Sequence, residues 1–216
     1  MLEDIRDIEN VQVYIKHLEE IKARLSYVSG YSKSNKDRFV IEAHALQIRK
    51  IIELIAFSLV SIHRAIYKKY RENRGGDYTK DWNGREILNN VLNINPNMFF
   101  RSLHKKYIGQ QDGSKQIEMR EESEYYSLKQ LAKLYDRCGG ILHVENPWNN
   151  SNKINSFHYE LPSIVKKLQV TFLDHAILFN HWQDKQSTVL IFSLSDSEDP
   201  SCAIAQSNGN FKFDNN

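Results

Sequence analysis

At 216 residues, with 41% hydrophobic and 26% charged side chains, the chain is long enough for a sizeable core and too apolar for intrinsic disorder. Twenty-nine basic and 27 acidic residues leave a net charge of +2, which excludes a global field toward nucleic acid or membrane, so any polyanion must meet a local patch. Two cysteines, Cys138 and Cys202, exclude a disulfide framework, and no apolar run approaches the roughly 20 residues of a membrane span; the expectation is a cytoplasmic protein with no membrane association.

In chain order, Ile5, Ile8, Val11, Ile15, Leu18, Ile21, Leu25 and Val28 recur at three-and-four spacing and predict a one-sided helix over residues 4–28. Gly30 and a polar cluster over 32–36 end it. Asp37 is placed to cap a second helix reaching about residue 72, whose middle is apolar on more than one face and therefore central. Inside it Arg49 and Glu53 stand four apart, the spacing of a buried or half-buried ion pair that braces the scaffold. The basic end of that helix, from His63 and Arg64 to Arg74, reads as a solvated terminus that complements the macrodipole; a phosphate-contacting patch is the minority reading.

Gly75-Gly76-Asp77 breaks the chain, and Trp82 leads into a short helix over 85–92 closed by Asn95-Pro96. Residues 98–122 hold no helical period. Two β-prone runs there, 105–108 and 116–119, flank the turn-like Gln111-Asp112-Gly113-Ser114, which allows a hairpin or an irregular loop. A further helix is expected over 123–145, with Leu128, Leu131, Leu134, Tyr135, Cys138, Ile141 and Leu142 on its buried face. Leu161-Pro162 then opens a last helix, Pro in its first turn, to about residue 179. Beyond it, Thr188-Val189-Leu190-Ile191-Phe192 and residues 201–205 are β-prone. The expected fold is mainly α: an antiparallel helical bundle over residues 1–182, and a small C-terminal β-hairpin over 183–216 packed on the same domain.

Most catalytic constellations are missing from the sequence. The eight histidines are scattered without a His-x-x-x-His or Cys-x-x-Cys spacing, so no metal and no cofactor is expected. There is no phosphate-cradling glycine motif and no nucleophile elbow, and Cys138 falls on a buried face, a core position. What remains is Arg137 with His143, six positions apart near the end of the 123–145 helix. Six helical steps turn through about 600°, leaving the two side chains about 120° apart with roughly 9 Å of rise, so one straight helix does not align them. Between them, Gly139-Gly140 costs about 1 kcal/mol per glycine in a helix interior and predicts a kink, a break or a close approach by another backbone. Asn146-Pro147 fixes the chain just beyond. Histidine moves protons near neutral pH, and a guanidinium binds phosphate and stabilises charge building on its oxygens. Together they suffice for metal-independent transfer of an RNA phosphodiester to its own 2′-hydroxyl.

Arg, five residues, then His, near the end of a helix in a mostly helical chain, resembles the HEPN superfamily motif, in which four to six residues separate the pair. That family consists largely of ribonucleases, many from toxin–antitoxin, abortive-infection and CRISPR-linked defence systems. The resemblance implies a helical bundle that forms a homodimer, two motifs building one composite site, and RNA cleavage without a metal. RNA, a second copy of the chain, and an antitoxin or defence protein are the partners it implies. Arg137 and His143 take the catalytic positions, with Asn146, Arg49 and Glu53 expected beside them as supporting residues. Cys138 stands where the family usually has a polar residue, and Glu145 where members silenced by a nucleotidyltransferase often have Tyr. The alternative is a non-enzymatic helical sensor or partner-binding module, in which Arg137 and His143 cap and brace a helix end.

Overall fold

The three-and-four apolar spacing at the N-terminus forms α1 (Asp4–Ser29), which buries Tyr14, Leu18, Ile21, Leu25 and Val28 along one stripe. The structure is a computed structural model that describes residues 4–32, 36–109, 115–144, 148, 152–180, 187–194 and 199–207. Among these residues are six α-helices and one five-stranded antiparallel sheet.

Helix α2 (Arg38–Ile62) begins where the Asp37 carboxylate accepts a hydrogen bond from the Phe39 amide at 2.8 Å, satisfying one of the orphan donors of a helix start. Its buried residues, among them Ile41, Ala45, Ile48, Ile51, Ile52, Ile55 and Leu59, point in several directions. The helix is accordingly packed by α1, α4 (Gly84–Ile94), α5 (Leu128–Leu142) and α6 (Lys153–Phe172), and it is the axis of the core. The single helix expected as far as residue 72 is instead two. α2 stops at Ile62, and α3 (Arg64–Glu72) starts after His63, whose φ of −105° and ψ of 29° leave the helical region. The buried His63 ring bonds the Met98 carbonyl through Nε2 at 3.0 Å, a tertiary bond that hydrophobic spacing cannot reveal. After Gly75, at φ 69°, an ion pair between Arg71 and Asp81 (2.7 Å) pins the following loop onto α3.

The sheet is larger than a C-terminal hairpin. β1 (Arg101–Gly109) and β2 (Lys115–Met119) form one arm, joined to β3 (Asp174–Asn180), β4 (Ser187–Ser193) and β5 (Ser201–Ser207) in the order β2-β1-β3-β4-β5. β3 precedes residue 182 and pairs with β4 beyond it, Ile177 lying opposite Leu190. The last helix therefore ends at Phe172, earlier than the expected 179. Ile177 and Leu178 fit a helical period by coincidence, while the alternation of buried His175 and Ile177 with Ala176 and Leu178 is that of a strand. That helix also starts earlier than Leu161-Pro162, so Pro162 sits in its interior. An interior proline costs about 3 kcal/mol, and burial of Phe157, Leu161, Ile164, Val165 and Leu168 along the same helix offsets it at about 1.5–3 kcal/mol each.

One face of the sheet joins the helical core: Phe192 stacks on Tyr14 at 4.2 Å between centroids, and Phe100 and Phe172 complete an aromatic cage around His175. The other face carries a small second cluster of Leu103, Ala176, Val189 and Ile191. The expected turn at 111–114, and Asn146, lie outside the described residues.

Candidate functional site

Helix α5, which carries the Arg–His pair, is shorter than the expected 123–145. It begins at a capping box in which the Ser127 hydroxyl accepts from the Gln130 amide (3.3 Å) while the Gln130 side chain accepts from the Ser127 amide (3.1 Å). It ends at Leu142, with His143 as its C-cap, the His143 amide donating to the Gly139 carbonyl at 3.2 Å. The helix runs unbroken through the glycine pair. Leu131, Leu134, Tyr135, Cys138 and Ile141 are buried as the spacing requires. Burial pushes the Cys138 thiol up to about 12, so it stays protonated and inert.

The structure does not bring Arg137 and His143 into contact. Arg137 turns toward α6 and makes a fork with Glu160, Nη1 to Oε2 at 2.6 Å and Nη2 to Oε1 at 2.8 Å. Nη2 also donates to the Ser156 hydroxyl (3.2 Å), which donates to Glu160 (2.9 Å), and the guanidinium lies 5.4 Å from the Phe157 ring centre. The hydrogen bonds from Arg137 and then Ser156 hold the Glu160 carboxyl below the ordinary carboxylate range, and the same fork raises Arg137. His143 is exposed at the end of α5, and its ring makes no hydrogen bond among the described residues. Val144 beside it is 93% exposed, and Trp148 further along is 91% exposed.

Arg49 and Glu53 lie on the opposite flank of α5. They form the expected ion pair, Nε to Oε1 at 3.4 Å, half-buried and not fully buried. Tyr135 of α5 joins them: Arg49 Nη2 donates to the Tyr135 hydroxyl, which donates in turn to Glu53 Oε1 at 3.1 Å, and the guanidinium stacks 3.8 Å from the Tyr135 ring centre. Burial, followed by the Glu53 charge, raises the Tyr135 hydroxyl above its ordinary range. Two glycines make room for this cluster. A Cβ on Gly139 would lie 2.6 Å from Arg49 Nη1, and one on Gly84, at the start of α4, would lie 3.2 Å from both Glu53 Cγ and Tyr135 Cε2. The close approach foreseen at Gly139-Gly140 is thus made by a side chain, a guanidinium, and not by another backbone. Arg85 of α4 adds a surface ion pair to Asp136 at 3.0 Å.

Sequence reasoning missed Glu160, Ser156 and Tyr135 as partners of the two arginines. The four-residue step from Ser156 to Glu160 puts both on one face of α6, but nothing local to that helix says which cation they meet. An open cleft of about 560 Å³, lined by Phe99, Phe100, Arg101, Glu122, Tyr125 and Ser127 among others, lies at the other end of α5, and the Arg101–Glu122 ion pair at 2.6 Å spans part of its wall. Its last lining residue, Gln130, stands seven positions before Arg137, roughly 10 Å along the helix axis, so the cleft and the Arg–His pair are separate features. Comparison with protein-family models, with curated proteins and with solved structures finds no match to this chain.

Proposed function

We propose that this chain is a metal-independent endoribonuclease with a HEPN-like helical fold, acting as a two-fold dimer in a toxin or phage-defence role. The observation that carries the reading is the exposed His143 at the cap of α5, one helical segment from an arginine whose fork is held in place by Glu160 and Ser156. Val144, the next residue, is exposed and supplies apolar surface beside that histidine that a second protomer or a base would cover. A two-fold axis there removes the angular problem, because groups 120° apart on one helix meet the symmetry mate instead of each other.

In the reaction, His143 takes the proton of the RNA 2′-hydroxyl, and the resulting oxygen attacks the adjacent phosphorus. The bond from phosphorus to the 5′-oxygen breaks, and that oxygen leaves with a proton from the second protomer's imidazolium. A 2′,3′-cyclic phosphate and a 5′-hydroxyl result, with no net consumption of water or redox equivalents. Arg137 stabilises the charge that builds on the phosphoryl oxygens.

The test compares wild type with His143→Ala on total cellular RNA in the presence of EDTA, beside melting curves of both proteins. General acid–base help is worth about 10²- to 10⁴-fold, so the variant should leave RNA intact while melting like wild type. Arg137→Lys should fail as well, since one ammonium cannot reproduce the fork. A second reading, the non-enzymatic sensor or partner-binding module, is favoured by one observation: both terminal nitrogens of Arg137 are already engaged by Glu160 and Ser156. It predicts equal RNA integrity in both lanes, and that result, or cleavage that stops on chelation, would end the metal-independent ribonuclease proposal.

A further inference from the structure

Resting on the ribonuclease reading, we infer that Arg49 is a second phosphate-binding guanidinium of the site, and that the scissile phosphodiester sits between Arg49 Nη1 and His143, over the side-chain-free surface of Gly140. The assignment begins with where Arg49 lies. Its Nη1 occupies the space that any side chain at position 139 would take, since a Cβ there would be 2.6 Å away. Glu53 engages Nε and the Tyr135 hydroxyl engages Nη2, which orients the fork, while Nη1 donates to no group among the described residues. The Arg49 side chain as a whole keeps 24% of its surface exposed, so the guanidinium sits at the rim of the core and not sealed inside it.

His143 is the next residue along this same strip. It follows Gly139 by four positions and is tied to it by the amide-to-carbonyl bond of 3.2 Å. Positions four apart on a helix differ by about 40° and lie roughly 6 Å apart, whereas Arg137 and His143 differ by about 120°. Arg49 is therefore on the His143 side of α5, and Arg137 is on the α6 side. Around Gly140, the next position, a Cβ would meet nothing within 4 Å, which leaves open space one residue from the glycine that the guanidinium covers. Glycine at 139 admits the cation, and glycine at 140 leaves room for a tetrahedral phosphate against the backbone. Arg137, held by Glu160, contributes by fixing α6 against α5 and by its charge.

The experiment uses the full chain and three variants, Arg49→Ala, Arg49→Lys and Gly139→Ala. In Gly139→Ala the close contact is only with the tip of a flexible side chain, so the fold survives while Nη1 is displaced. Single-turnover cleavage at saturating RNA should fall on the order of 10²-fold in Arg49→Ala and in Gly139→Ala, and lysine should not restore it. A purely structural Arg49 would lower the melting temperature but leave the folded protein cutting at the wild-type rate. Folded Arg49→Ala and Gly139→Ala within about threefold of wild type therefore overturn the assignment while the ribonuclease reading stands. If wild type cuts no RNA, that reading falls by itself. Titration with inorganic phosphate, followed by NMR at the His143 ring and the Gly139 and Gly140 amides, then decides: shifts in wild type that vanish in Arg49→Ala uphold the anion site, and their absence in wild type overturns it.

Discussion

Lowering the pH from 7 to 5 should destabilise this protein by about 4 kcal/mol, through two buried histidines far from the Arg–His pair. His175 is fully enclosed by Tyr14, Phe100, Phe172 and Phe192. Its Nδ1–H donates to the Phe172 carbonyl at 3.1 Å, so the neutral ring must accept at Nε2, where the Tyr14 hydroxyl stands at 2.8 Å. A proton on Nε2 would face that hydroxyl, and among the described residues no carboxylate bonds the ring to balance it. Burial pushes His175 down to about 4, and burial does the same to His63 despite its bond to the Met98 carbonyl. Both values lie below the unfolded value of 6.5, so the folded state resists protons that the unfolded chain accepts. Stability is untouched above 6.5 and is lost as the pH falls from there toward 4. At pH 5 each histidine has crossed about 1.5 pH units of that window, costing about 2 kcal/mol at 1.36 kcal/mol per unit. Two of them consume a large share of the roughly 5–15 kcal/mol of a typical domain. His17, lowered by burial, adds in the same direction. Carboxylates such as Glu160, whose pKa is depressed, lose their contribution only as the pH falls through the carboxylate range, below this window. Urea unfolding at pH 7, 6 and 5 is the assay. With a slope of about 2 kcal/mol per molar, the midpoint should fall by about 2 M between pH 7 and 5. His175→Leu should show about half that pH dependence. A midpoint that stays level over this range, at constant slope, refutes the reasoning.

Three further predictions concern single positions. Glu53→Ala should cost about 1 kcal/mol, read from the melting temperature; the pair it leaves is about a quarter exposed on each side, so solvent screening keeps the loss below the 3–5 kcal/mol of a fully buried ion pair. Ser127→Ala should cost about 1 kcal/mol by removing half of the α5 capping box, and Ser127→Gly only a few tenths, as chemical denaturation would show. Gly75→Ala should cost about 1–2 kcal/mol from backbone strain alone, because φ is 69° and a Cβ there meets nothing within 4 Å; equal stability of the two proteins would contradict the left-handed conformation.

Much of the helical architecture was legible because helices are written locally. The buried stripe of α1, the Asp37 cap, the Gly75 break and the Asn95-Pro96 stop each depend on residues within a turn or two, and the structure has them where the spacing puts them. Element ends proved less legible. His63 interrupts a helix whose pattern runs on, because its ring is claimed by Met98, 35 residues away. Pro162 reads as a start signal yet sits inside α6, because core burial on the same helix outweighs the missing hydrogen bond. Strand β3 was hidden inside a helical period.

The candidate site divides along the same line. Sequence alone singled out Arg137, His143, Arg49 and Glu53, marked the glycine pair as the place of a kink, a break or a close backbone approach, and put Cys138 in the core. The 120° between Arg137 and His143 follows from helix geometry only for an unbroken helix, and it was the structure that showed α5 running through the glycine pair. Only the tertiary structure decided that Arg137 goes to Glu160 on α6 and that Arg49 crosses from α2 to lie on Gly139. It alone decided, too, that strands from two distant parts of the chain join in one sheet. The reason is physical: capping and periodicity arise from neighbours along the chain, whereas a guanidinium's partner or a strand's neighbour is set by which surfaces the packed core brings within a few ångströms, a relation that no local pattern encodes.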